Sequence, residues 1–205
     1  MSVYDLKPRF QAILRPVANA LVCRGVTPNG VTIAAMGGSF LVGAAALYAW
    51  AVPWLLLLLP AWLFLRMALN AIDGMLAREH AMKTPLGAVL NEAGDVASDV
   101  ALYLPLAAYA LGGEWPVVFF TLGAVVSEFC GVLGQALGAS RRYDGPMGKS
   151  DRAFFVGALA LATFVFPGLY RAWPTVFWVA AALTLVTAVR RCRAALRELP
   201  AGGAR

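Results

Sequence analysis

Charge is scarce in this sequence. Asp, Glu, Lys and Arg together make up 14% of its 205 residues, where an ordinary soluble domain carries about 25%. The three cysteines, Cys23, Cys130 and Cys192, lie far apart and form no CxxC or other ligand spacing. They therefore read as reduced and structural, without a metal or disulfide framework. No internal repeat, linker or low-complexity tract interrupts the chain, so it reads as one domain spanning residues 1–205. What it has in excess is apolar side chain, 60% of all residues. That excludes a disordered or fibrous protein, and a water-soluble globule of this size has too much surface to hide it. The charges cluster between long uncharged runs, which predicts an integral membrane protein. A net charge of +6 and a pI near 9.6 follow from basic loops on one side of a membrane, with no need for a nucleic-acid partner.

The first residues carry Asp5, Lys7, Arg9 and Arg15 where a signal peptide would need an apolar core. Tyr4, Leu6, Phe10, Ile13, Leu14, Val17, Leu21 and Val22 recur every three to four positions with basic residues between them. Residues 1–26 are thus expected to form an amphipathic helix lying in the membrane interface. Residues 27–205 are expected to form a bundle of six transmembrane helices: Val31–Trp50, Trp54–Leu69, Pro85–Leu111, Trp115–Ala139, Ala153–Tyr170 and Pro174–Val189. Thr27, Pro28 and Asn29 read as the turn and start of the first span. Basic residues gather before the first span, at Arg78 and Lys83, at Arg141, Arg142, Lys149 and Arg152, and from Arg190 to Arg205, with Arg171 facing the other side. This places both termini and the basic loops in the cytoplasm of a multi-pass protein, expected in a bacterial inner membrane. Trp50, Trp54, Trp115 and Trp173 stand near span ends as interfacial anchors.

Charges inside a span are costly and are functional candidates. Arg66, Asn70, Asp73 and Arg78 belong to the second span, and Asn91, Glu92, Asp95 and Asp99 to the third. From Trp54 to His80 a helix would run about 40 Å, so its polar end protrudes past the hydrocarbon on the cytoplasmic side. The two spans are antiparallel about a turn near Met82. Asp73 precedes that point by nine residues and Asn91 follows by nine, while Asn70 precedes by twelve and Asp95 follows by thirteen. Each pair should be level, giving a four-residue polar box on two helix faces. By the same count Arg66 and Asp99 should meet one turn deeper as a buried ion pair. An oxygen-rich box suits Mg²⁺ or Mn²⁺, which in turn suit phosphates. Gly74, Ala77 and Gly87 border it and would let a nucleotide approach the backbone; such small residues alone can equally serve helix packing.

The series Asn70-x-x-Asp73-Gly74-x-x-Ala77-Arg78, eight residues, Gly87-x-x-x-Asn91-x-x-x-Asp95 resembles the signature of the CDP-alcohol phosphotransferases, DxxDGxxAR followed by GxxxDxxxD. The segments GVTPNGVT at 25–32 and GKSDRAF at 148–154 are similar to those before that family's first and fifth spans. The resemblance implies a phosphatidyltransferase that takes CDP-diacylglycerol or a similar donor, passes its phosphoalcohol group to an acceptor alcohol and releases CMP. It implies that Asn70, Asp73, Asn91 and Asp95 face a Mg²⁺ or Mn²⁺ site and that Asp95 is the general base. Gly74, Ala77, Arg78 and Gly87 would then line the nucleotide pocket. The lipid bilayer and a second copy of the chain are the other expected partners. Asn stands at 70 and 91 where the family has Asp, so the four positions carry −2 in place of −4; an amide carbonyl still ligates Mg²⁺, as a neutral dipole.

Arg141, Arg142, Lys149 and Arg152 lie in a cytoplasmic loop beside the expected cavity mouth, where they could grip a phosphate on the acceptor; ordinary cytoplasmic charge explains them equally well. Glu128 in the fourth span reads either as facing the cavity or as a paired structural residue, Glu92 as paired or solvated, and His80 as a turn residue. Two other functions stay open at this level: a catalytically silent relative that keeps the nucleotide-lipid pocket, and a small transporter.

Overall fold

The computed structural model describes residues 3–109 and 113–199, with side chains from Arg9 onward. Among these residues there is no strand. Seven α-helices follow one another: α1 (Val3–Cys23), α2 (Pro28–Ala46), α3 (Leu58–Glu79), α4 (Pro85–Tyr103), α5 (Glu114–Ala136), α6 (Lys149–Val165) and α7 (Trp173–Glu198). The side chains of Tyr4, Asp5, Leu6 and Lys7, the Leu111 end of the third expected span and the tail residue Arg205 lie outside the described residues.

Helices α2 and α4 start with the same device. Thr27 Oγ1 accepts the Gly30 amide at 3.2 Å and Thr84 Oγ1 accepts the Gly87 amide at 2.9 Å, each followed by proline at the first helical position. Proline has no N–H to orphan there, and the threonine satisfies one of those that remain. The two starts are neighbours: a Cβ on Gly87 would fall 2.8 Å from Asn29 Oδ1. Farther along the same pair, a Cβ on Gly43 would collide with the Ala101 carbonyl, so glycine is what lets α2 and α4 approach backbone to backbone.

The core runs through α3, α5, α6 and α7, with Leu59, Leu63, Phe120, Val156 and Phe177 buried together. Phe120, Phe155 and Phe177 meet edge to face with centroids 5.4 to 5.6 Å apart, the arrangement the ring quadrupoles favour. Trp173 is buried and donates to Thr163 Oγ1 at 2.9 Å; it is a core residue, where its position near a span end suggested an interfacial anchor. Helix α1 packs on α3, with Ala18 against Ile72, Met75 and Leu76, and Arg15 forks onto Glu79 at 3.0 Å.

Among the described residues four stretches are long and apolar enough to cross a membrane: Pro28–Ala46, Pro53–Glu79, Glu114–Ala136 and Pro167–Glu198. Helix α4 carries Glu92, Asp95 and Asp99, and α6 is only 17 residues long, so neither reaches that standard by composition and length. Large apolar side chains such as Phe40, Phe64, Phe129, Phe154 and Leu185 point outward; in water they would be a liability and in lipid they are the solvent-facing surface. The chain is an all-helical membrane protein. The helix boundaries differ from the sequence expectation by a few residues at several ends, and by more at two of them. Helix α4 ends at Tyr103 in a 3₁₀ turn over Leu104–Ala108, where Pro105 blocks a further α-turn. Helix α7 continues past Val189 to Glu198, so Arg190, Arg191, Arg193 and Arg197 are helical.

Candidate active site

Helices α3 and α4 are joined by the short turn around Ala81, whose φ is +55°. This hairpin brings the expected box together: Asn70, Asp73, Asn91 and Asp95 line one cavity of about 580 Å³. Asn70 Nδ2 lies 3.5 Å from Asp95 Oδ1, and Asp73 Oδ2 accepts the Thr32 hydroxyl at 2.9 Å. Gly74, Ala77, Arg78 and Gly87 line the same cavity. A Cβ on Gly74 would stand 3.0 Å from Arg78 Nη1, so its absence lets the guanidinium fold back along α3 one turn away. Thr32, Asn29 and Lys83 also line it; the first two belong to the 25–32 segment that resembles the family's, but the sequence reading assigns none of the three to the site.

A second cavity of about 290 Å³ adjoins the first, lined by Glu92, Glu128, Arg141, Ser150, Asp151 and Arg191 among others. Asn91, Asp95, Tyr143 and Lys149 belong to both, so Asp95 stands at the boundary. It is held there by Lys149 Nζ at 2.5 Å and Arg66 Nη2 at 3.4 Å.

Below the cavities lies an ion network. Arg66 Nη1 meets Asp99 Oδ1 at 2.6 Å, the pair expected from the hairpin count. Asp99 Oδ2 then accepts Arg152 at 2.8 Å, and Arg152 reaches Glu128 Oε1 at 2.8 Å. Glu128 Oε2 accepts Arg141 at 2.9 Å and lies 3.2 Å from Arg191 Nη1. Glu92 takes the remaining fork of Arg141 at 2.8 and 3.0 Å. Arg66, Arg152 and Arg191 are 2%, 0% and 1% exposed, and guanidinium ions this deep persist only with charge partners.

Of the four basic residues assigned to an acceptor, Arg141 and Lys149 line the second cavity. Arg152 is enclosed in the network beneath it. Arg142 points away, forking onto Asp144 at 2.9 and 3.2 Å and reaching Glu198 at 2.8 Å; that fork holds the Asp144 carboxyl below its ordinary range. His80 caps α3 at its C-terminal end and lines neither cavity. No sequence signal marks Arg191 as part of this region, because its place depends on how α7 packs against α5.

The donor set fits a divalent cation: two carboxylates and two amide carbonyls on facing helices, opening to one cavity. Among the described residues no group of three His, Cys, Asp or Glu could hold a metal ion, since half of the box is amide.

The sequence profile of the CDP-alcohol phosphatidyltransferase family matches residues 25–189. The chain is 46% identical to the inner membrane protein YnbA of Escherichia coli K12, over 96% of this chain and 97% of that one. It is 30% identical to a phosphatidylinositol phosphate synthase of Mycobacteroides abscessus, over 90% and 84%. Its fold matches the crystal structure of Mycobacterium tuberculosis phosphatidylinositol phosphate synthase with CDP-DAG bound, with TM-score 0.77, 23% identity and coverage of 95% and 98%. A form of the same enzyme with manganese and citrate gives 0.75 at 23%, over 93% and 91%. A profile match over most of the chain, on the helices that build the box, means that this chain belongs to the CDP-alcohol phosphatidyltransferase family, membrane enzymes that move a phosphatidyl group from a CDP-linked donor to an alcohol.

Proposed function

We propose that the chain transfers a phosphatidyl group from CDP-diacylglycerol to an acceptor alcohol in phospholipid synthesis, with Mg²⁺ or Mn²⁺ as cofactor and CMP as leaving product. One observation carries this reading. Asp95 stands where a large cavity with the signature residues meets a smaller polar one, so a donor phosphorus and an acceptor hydroxyl can both reach one carboxylate. Asn70, Asp73, Asn91 and Asp95 hold the cation, which when bound neutralises the donor pyrophosphate. Gly74, Ala77, Arg78 and Gly87 take the nucleotide. Asp95 accepts the hydroxyl proton as the acceptor oxygen attacks the phosphorus next to the lipid, and CMP departs with the bonding pair. Arg141 and Lys149 line the acceptor cavity, with Arg152 and the outer Arg142 supporting the loop beside it.

The bundle is one unit over residues 1–205, with α2 to α7 as six crossings and residues 1–26 on the interface. Helices α4 and α6, 19 and 17 residues long, reach about 26–29 Å at 1.5 Å per residue, close to a hydrocarbon core of about 30 Å. Both ends and the cavities face the cytoplasmic side of a bacterial inner membrane, a reading the basic loops support, and a homodimer is the proposed assembly. Purified protein should release CMP from CDP-diacylglycerol only with both a divalent cation and an acceptor present. Well-folded protein that binds the donor but never releases CMP would instead be a nucleotide-lipid-binding module.

The two asparagines weaken the box toward a cation. A unit charge at 4 Å with an effective dielectric near 20 contributes about 4 kcal/mol, so two missing carboxylates remove much of the attraction. Mn²⁺ should therefore bind the donor-free protein weakly and bind far more tightly once CDP-diacylglycerol supplies its pyrophosphate. The double variant Asn70→Asp, Asn91→Asp is expected to tighten donor-free Mn²⁺ binding by about 100-fold or more, read by titration in detergent. Tight binding to the parent protein, unchanged in the variant, would remove both asparagines from the site.

A further inference from the structure

The smaller cavity has an unusual charge balance for a place expected to hold a phosphate. Its wall contains four carboxylates, Glu92, Asp95, Glu128 and Asp151, against three cations, Arg141, Lys149 and Arg191. Each cation is already engaged. Glu92 occupies Arg141 through Nε and Nη2, and Nη1 of Arg141 donates to the Arg142 carbonyl at 2.8 Å. Arg191 donates to the Ser127 carbonyl at 2.6 Å and faces Glu128. Lys149 is on Asp95. Glu128 is the centre of the arrangement, touching Arg141, Arg152 and Arg191 at once. Glycine makes this possible: a Cβ on Gly131, one turn after Glu128, would collide with Arg141 Nη1.

We propose that Glu128, with Glu92, sets the acceptor specificity of this transferase by neutralising the arginines of the acceptor cavity, so that the acceptor is an uncharged polyol and not its phosphate ester. The inference rests on the transferase reading and adds the substrate class to it. A phosphomonoester would bring about two negative charges into a wall whose cations are already matched by carboxylates, and would have to strip a carboxylate from a guanidinium to gain a fork of its own. Both changes oppose binding, because like charges brought together out of water repel strongly and a displaced buried carboxylate loses its partner. Hydroxyls incur neither penalty. They can donate to carboxylate oxygens whose second lone pairs remain available, and the Asn91 amide, Ser150 hydroxyl and Tyr143 phenol add neutral partners. Tyr143 is itself fixed by the Arg141 guanidinium stacked 5.0 Å from its ring centre.

The test uses the full chain in detergent with CDP-diacylglycerol and Mn²⁺, offering glycerol against glycerol 3-phosphate and myo-inositol against inositol 1-phosphate. The parent protein is expected to favour the uncharged member of at least one pair by about 10-fold or more in kcat/KM. Glu128→Gln, which keeps the shape and frees the guanidinium charge, is expected to move that ratio at least about 10-fold toward the phosphate ester. Glu92→Gln, at a more exposed position that threatens folding less, should move it the same way by a smaller factor. The ratio does not depend on the folded fraction, so a purely structural role would leave it unmoved. Preference of the parent for the phosphorylated member of both pairs, or a ratio unmoved in both variants, would overturn the proposal. If no acceptor supports CMP release, the transferase reading has failed, and calorimetry with inositol 1-phosphate alone decides the charge argument. Binding gained in either variant and absent from the parent upholds it; binding to the parent, or none in any protein, defeats it.

Discussion

Asp95→Asn should lower CMP release by about 10²–10⁴-fold, the contribution typical of a positioned general base, while leaving the thermal unfolding midpoint close to that of the parent. The substitution keeps size and shape, and it removes the one carboxylate shared by the two cavities. Its neighbours tolerate the loss. Arg66 retains Asp99 at 2.6 Å, and Lys149 is the more exposed member of its pair, 27% against 19%, so water can solvate it. Donor binding should survive better than turnover, since Asp73 and the residues from Gly74 to Gly87 are untouched. Steady-state CMP release, with donor binding measured separately on the same preparation, tests this. A variant that turns over at the parental rate would move the proton to another group and end the role assigned to Asp95.

The largest loss of stability is expected from Asp99→Asn. This carboxylate takes Arg66 on one oxygen and Arg152 on the other, all three side chains being 3% exposed or less. Removing the charge leaves two buried guanidinium ions facing an amide, and breaking a buried pair in this way costs about 3–5 kcal/mol. Arg152 keeps Glu128 and Arg66 keeps its weaker contact with Asp95, which bounds the loss. Arg15→Ala is the matched control, because its fork to Glu79 is exposed at 48% and 37% and exposed pairs contribute little. Thermal unfolding in one detergent should show a large downward shift for the first and little change for the second. Equal shifts would mean that the network under the cavities does not carry stability.

The sequence determined the helical class, the membrane setting and the box. Its signals are short in range. Apolar runs report what each helix must face, the two Thr-Pro caps fix where α2 and α4 begin, and one turn joining antiparallel helices fixes which residues lie level. Asn70 and Asp95, and Arg66 and Asp99, therefore meet as counting along α3 and α4 predicts. Helices α4 and α6 are both expected as spans, yet one carries three carboxylates and the other is only 17 residues long. Asp99 and Arg152 meet between these two helices, and which way such residues turn is a property of rotation about the helix axis that no local window contains.

What only the tertiary structure decided is which cation meets which carboxylate across helices that are not neighbours in the chain. Arg191 reads as part of a basic tail, yet α7 runs straight on and delivers it to Glu128 on α5. Arg152 reads as a loop charge at the cavity mouth, yet the first turn of α6 buries it between Asp99 and Glu128. Arg141 and Arg142 are adjacent, and only the close pass of the chain over Gly131 sends one to Glu128 and the other outward to Asp144. Periodicity fixes the spacing of charges along a helix, whereas their pairing is set by the order and rotation of packed helices. In a medium of low dielectric that pairing decides whether an arginine remains free to hold a ligand or is already neutralised.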